Sequence, residues 1–425
     1  MPGMDAPVVE LQLTLADLPA NLDQVPSMRQ AADLAWDIER VAGFGAQAGV
    51  DALFPNNHWM RLAIGAPVTY GLGFVVPTGG WAHEEWHRAV LSDHGLPSVN
   101  PYNNPARWFD DLGSVNGMQD EQLANFKAAD PAGFVYLSTA GFDAGAELVR
   151  RTEDDLFFGD EGTQVGAIYF GQSPMLGFLL NHRVGTLLYH GLCASADTDA
   201  LIADAYIAES SEDTRDFTGP DCTAWAYDLL RAEETYSARG TLEDGSTDRY
   251  RGWSDLSDDE RTLVENTVLF DLVALADPHL FALDGFHTGE TRFTASVEHG
   301  LRPFGRSVDL RFKLRTPMFG GWVVLKNGLA GAGWMPGVEA GIRPVVVGRQ
   351  FAVDGNAELW LQPTNLLFHA TERSLGGAAE AGLRYWPTDH LGARLGLEGK
   401  STGYRRGNPN LDPDVNAKLS LLARW

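Results

Sequence analysis

Five consecutive residues, His83-Glu84-Glu85-Trp86-His87, carry the clearest chemistry in this chain, because they read H-E-x-x-H. On a helix, side chains four apart lie one above the other, so both imidazoles can meet a single metal ion. Glu84 then stands beside the coordination position left open. The neighbouring residues permit such a helix. Pro77, Gly79 and Gly80 break the chain before it, Trp81 to Leu91 holds helix formers and no breaker, and Gly95 and Pro97 are stop signals. The competing reading is an amphipathic helix with two incidental histidines.

A catalytic zinc usually takes three protein ligands and keeps a fourth position for water. A third side chain must therefore come from elsewhere, and Ala140 to Arg151 offers two acids. Asp143 reads as the N-cap of a new helix and Glu147 follows one turn later. Glu147 is the preferred ligand and Asp143 the runner-up. Against this, Glu147 can equally pair with Arg150 or Arg151 in solvent. His94 shares a helical stripe with His87, but seven residues rise about 10 Å. That separation is too great for both to reach one metal at about 2 Å, so His94 reads as a helix-end residue. Tyr189 and His190 read first as core groups and second as donors near the site.

His83, Glu84 and His87 resemble the zincin metallopeptidase signature, over one helix of the chain. The resemblance implies Zn2+ held by two His, Glu84 as general base toward the attacking water, and hydrolysis of a peptide bond. A Glu on a second helix, here Glu147, is similar to the gluzincin arrangement. The chain departs from that pattern at Arg150 and Arg151, where an orienting Asp is expected. The metzincin extension is absent, since Val90 and Asp93 occupy the places of its Gly and His.

The elements that must position these groups fall into two grammars. The 425 residues suit two domains, or one with an appendage, and the hydrophobic content of 44% supports a sizeable core. With 57 acidic against 32 basic residues the net charge is −25, which repels nucleic-acid phosphates. Cys193 and Cys222 match neither a zinc-finger nor a redox spacing, and their pairing stays open. Met1 to Asn21 lacks the basic start and apolar block of a signal peptide.

Residues 1 to about 30 read as a polar, extended lead-in, followed by a helix from Met28 to Phe44. The uncharged stretches Leu62–Ala82 and Val165–Asn181 read as buried core helices rather than membrane spans. The turn-rich Pro97–Pro105 is expected to border a cleft. Further helices are expected over Gln119–Ala129, Val165–Leu180, Val184–Cys193, an acidic stretch to Ala208, Thr223–Arg231, and from the capping box Ser257-x-x-Glu260 to about Ala276. Arg239, Arg249 and Arg251 lie among aromatics in what reads as an ordered loop.

From about Phe286 the period changes to two. Val308, Leu310, Phe312 and Leu314 alternate with Asp309, Arg311, Lys313 and Arg315. About eight such segments follow, near 291–301, 307–316, 321–329, 338–348, 356–369, 377–386, 391–400 and 415–425. The last, ending in Trp425, resembles the closing strand of a bacterial outer-membrane barrel. A soluble antiparallel sheet produces the same period.

The expected fold class is therefore α+β. A helical metal-binding domain would span 1–285, and an antiparallel β-domain of about eight strands, barrel or sheet, would span 286–425. The expected function is zinc-dependent hydrolysis of a peptide or protein substrate by an enzyme of the bacterial envelope, in contact with the outer membrane. The alternative is a non-enzymatic envelope barrel or scaffold.

Overall fold

The computed structural model describes residues 9–23, 26–104, 114–159, 175–281, 283 and 285–424. Its helices are α1 (Ala20–Asp23), α2 (Met28–Leu53), α3 (His58–Val75), α4 (Thr78–Asp93), α5 (Asp120–Ala129), α6 (Pro131–Phe158), α7 (Leu176–Cys193), α8 (Asp197–Ala208), α9 (Asp221–Leu230) and α10 (Asp258–Ala274). The strands are β1 (Glu10–Leu18), β2 (Phe286–Thr288), β3 (Thr291–Arg302), β4 (Gly305–Arg315), β5 (Gly320–Ala330), β6 (Gly333–Val346), β7 (Phe351–Pro363), β8 (Arg373–Tyr385), β9 (Leu391–Lys400) and β10 (Asp414–Arg424). The α+β class holds, with helices first and an antiparallel sheet after them.

That sheet has ten strands in the order β1-β10-β9-β8-β7-β6-β5-β4-β3-β2, and its two outer strands do not pair, so it is open rather than a closed barrel. The eight expected segments are all strands. Two more join them. One is the short β2, and the other is β1, from a stretch expected to be a lead-in within the helical part. β1 pairs with β10 from Glu10↔Arg424 to Leu18↔Ala417. The expected start of a helix at Val165, and Trp425, lie outside the described residues. Where a break was expected near His182, α7 runs through without interruption.

The alternation of the strands is inverted relative to a soluble sheet. Along β4, Asp309, Arg311 and Lys313 are buried while Leu310, Phe312 and Leu314 are exposed. Along β9, Arg394, Glu398 and Lys400 are buried while Leu391, Leu395 and Leu397 are exposed. Buried charges of β4 and β6 meet the second half of α6, whereas Arg394 and Glu398 of β9 pair with Asp354 and Arg405. Lys313 Nζ lies 3.0 Å from Glu153, Arg311 3.0 Å from Asp154, and Arg150 3.0 Å from Glu339. Removing one member of such a pair costs about 3–5 kcal/mol, because it leaves an unpaired charge in low dielectric.

Helices cover the sheet's open margin. On the free edge of β1, Asp37 of α2 accepts the Gln12 N–H at 2.9 Å and the Gln30 amide donates to Thr14 O at 3.2 Å. Contacts then run in series from β1 to α2, α3, α7, α10 and β3. The stretch expected as a buried core helix near Leu62 is instead largely open on α3, where Trp59 and Phe74 are 75% and 62% exposed. By length and composition, Trp59–Asp93 is long and apolar enough to cross a membrane. Its second half, α4, is a core helix: Ala82, Trp86, Ala89 and Val90 pack with Met28, Phe134 and Leu137.

One ion pair joins the end of α4 to the start of α6. Asp130 caps α6 by accepting the Gly133 N–H at 2.9 Å, and its other oxygen lies 3.1 Å from His94 Nε2. Burial opposes the charge on both groups, but their mutual hydrogen bond, the backbone hydrogen bonds to each and their opposite charges together outweigh it, raising the His94 pKa and lowering that of Asp130. The pair's stabilisation is thus complete between the ordinary Asp value of 3.8 and the ordinary His value of 6.5. It is lost as pH rises through the higher His94 value, and again as pH falls through the depressed Asp130 value. His94→Gln is expected to cost about 0.5–1 kcal/mol near pH 5.5. Urea titrations of that variant should show a smaller decline in stability than the parent protein between about pH 6.5 and 8.

Candidate metal centre

The helix that presents His83 and His87 is held on three sides. α4 packs against α2 and α6. Glu85, fully buried, holds Arg88 at 2.7 Å and accepts the amides of Asn100 and Asn103 at 2.9 and 3.0 Å. Those contacts fasten the turn-rich loop beside the helix, and Tyr102 of that loop lines the site's cavity, as the sequence suggested.

His87 is fixed through its Nδ1, which donates to Leu137 O of α6 at 2.6 Å. Its Nε2 is buried without a hydrogen-bond partner. His83 Nε2 and His87 Nε2 lie 2.8 and 3.3 Å from one oxygen of Asp221. Three ligand atoms, one from each residue, all lie within 4.8 Å of one another. Gly141 of α6 leaves room at their meeting point, because a Cβ there would sit 2.4 Å from both His83 Nε2 and His87 Nε2. Two imidazoles and one carboxylate are a donor set that suits zinc. The orphaned Nε2 and the space kept by Gly141 show that the residues fit an ion.

Asp221 comes from a segment the sequence did not connect with the motif. It is the first residue of α9, its N–H donates to the Tyr189 hydroxyl at 3.2 Å, and its neighbour Cys222 is disulfide-bonded to Cys193 at the end of α7. The bridge and the Tyr189 contact tie Asp221 to α7, which gives the carboxylate a fixed place. Burial alone would raise its pKa, but His87 and His83 outweigh this and hold it well below the usual carboxylate range. Burial lowers the His83 pKa, which favours a neutral, ligating imidazole. Glu84 is pushed in the opposite direction. Burial raises its pKa well above the ordinary value, and the charges of Asp221, Asp216 and Glu85 add to the effect.

Neither expected third ligand reaches this point. Glu147 lies 2.8 Å from Arg151 and lines a separate charged cavity of about 240 Å³ between α6 and the sheet. Asp143 is not an N-cap. It lies in the middle of α6, buried, where it accepts from the Tyr404 hydroxyl and faces Arg302 and Arg406 at 3.7 and 3.4 Å. The helix makes the reason plain: Gly141 faces the imidazoles, and at about 100° per residue positions 143 and 147 point elsewhere. Asp221 replaces both. The signal in the sequence was slight, an Asp between Pro220 and Cys222 at the opening of a helix. Arg239, Arg249 and Arg251 are buried and ion-paired to Asp228, Asp120 and Asp248, the ordered loop the sequence suggested.

A cavity of about 360 Å³ opens on the site. His83, Glu84, Asp216 and Asp221 are among its polar lining, and Leu192, Leu201 and Ile202 among its apolar lining. In comparisons with known proteins, no family model matches the chain and no curated protein does. Gly141→Ala should abolish metal uptake at this point, because its methyl group fills the space the ligands leave. Metal analysis of the purified variant, with circular dichroism to confirm folding, checks this, and retention of one equivalent at the site contradicts it.

Proposed function

We propose that the protein is a zinc-dependent peptidase of the bacterial envelope. The observation that carries this reading is the convergence of His83, His87 and Asp221 on one point beside Glu84, at a cavity of about 360 Å³. His83, His87 and Asp221 would hold the ion, which supplies a Lewis acid for a substrate carbonyl and lowers the pKa of a water.

The rest of the chemistry belongs to the chain. Glu84 has a raised proton affinity, which suits a group that takes a proton from water and returns it to the leaving amine. Tyr189, which accepts from Asp221 N–H, keeps its own proton to donate toward a charge developing in the cavity. Leu192, Leu201 and Ile202 favour an apolar side chain next to the bond that is cut.

The same reading places lipid against the sheet's outer face. Strands that bury Arg, Lys and Glu and expose Leu, Val and Phe suit hydrocarbon better than water. Lipid requires every strand edge to be satisfied, and α2 meets this need at β1. The Cys193–Cys222 bridge agrees with an oxidising compartment.

Glu84→Gln is expected to retain the metal and to lose about 10²–10⁴-fold in the rate of peptide hydrolysis. His83→Ala is expected to lose activity together with the ion held by His87 and Asp221. Undiminished cleavage by either variant sinks the catalytic assignment. For the sheet, Phe312→Arg on β4 should cost about 2–4 kcal/mol in a bilayer. Partition of the unaltered protein into water rather than detergent would remove the lipid assignment while leaving the peptidase intact.

A further inference from the structure

We infer a second metal site, separate from the first, formed by His190 of α7, Asp271 of α10 and His299 of β3. These three residues come from three elements, all are buried, and their ligand atoms lie within 4.8 Å of one another. Both imidazoles turn Nδ1 toward the one carboxylate: His190 meets one oxygen and His299 the other, at 2.9 Å. Both Nε2 atoms are buried with no hydrogen-bond partner. An ion at the point where the two Nδ1 atoms meet the carboxylate would be held by all three groups, each imidazole then carrying its proton on Nε2. The residues line a small cavity of about 40 Å³, enough for a single ion or water.

The charge around the trio also favours a cation. Among the described residues, Asp271 has no Lys or Arg partner, only the two imidazoles. A third cluster, Glu153, Asp277 and His279, makes the contrast. There Arg183 lies 2.7 and 3.0 Å from the two carboxylates, and Lys313 lies 3.0 Å from Glu153, so their charge is already matched. Arg183 also lines the small cavity, but its guanidinium is spent on Glu153, Asp277 and Val297 O.

Two imidazoles and one carboxylate again suit Zn2+ or Co2+. Here the role is structural. The ion would clamp α7 and α10 onto β3, the place where helices cover the sheet's open margin. α7 also carries Tyr189, and Phe142 lies between the two sites, with ring centroids 5.7 Å from His83 and 4.6 Å from His190. The inference does not depend on hydrolysis at the first site.

The test is the Zn2+ content of the full chain, purified and loaded with excess Zn2+ before desalting. His83→Ala/His87→Ala removes the first pair of imidazoles and is expected to keep one equivalent; none overturns the second site. His190→Gln/His299→Gln is expected to lose one equivalent relative to the unaltered protein; no loss likewise overturns it. Should the second variant not fold, the first still decides, because it leaves His190, Asp271 and His299 untouched. Co2+ loaded into the His83→Ala/His87→Ala protein is expected to give a ligand-field spectrum, and chelation to lower that protein's unfolding temperature. A hydrogen-bonded trio without metal gives neither.

Discussion

Charge buried between α6 and the sheet is the constraint on which the rest of the structure depends. Glu153, Asp154 and Arg150 can leave water only because Lys313, Arg311 and Glu339 meet them there. Such pairs add little net stability compared with apolar packing, but each is costly to break singly. They therefore fix one position of α6 along the sheet. The first half of the same helix supplies Leu137 O to His87 and the open face at Gly141. A single rigid helix thus links the register of the strands to the geometry of the imidazoles.

How much of this was legible depends on how local the signal is. The strands from Thr291 onward were readable because a period of two is written in adjacent residues. The same period in β1, where Leu11, Leu13 and Leu15 alternate with Gln12 and Thr14, was obscured by the polar, proline-punctuated stretch around it. Which face turns inward was not readable at all. Apolar-out and apolar-in strands have identical sequences in this respect, and only the charged side chains of α6 decide between them.

The motif behaved similarly. Two histidines on one helix face follow from spacing, so His83 and His87 meet as expected. The third group does not follow from any spacing, because it arrives through α9 and is held by a disulfide and a tyrosine. Glu147 looked suitable by composition, yet its place on the helix turns it toward Arg151. The raised proton affinity of Glu84 also came from distant acids, Asp221 and Asp216, as well as burial. Residue types announce what chemistry is available, whereas helical phase and long-range contacts select which of them take part.

The pairing of β1 with β10 bears on the order in which the molecule is assembled. Residues 10–18 are made long before residues 414–424, their only strand neighbour among the described residues. Closing so long a loop is entropically costly and slow. Until it happens, Asp37 and Gln30 of α2 have no strand edge to hold. The helix bearing the two imidazoles packs against α2, so its support is completed among the last events of folding. A chain caught partway through translation would carry the two imidazoles without the scaffold that aligns them.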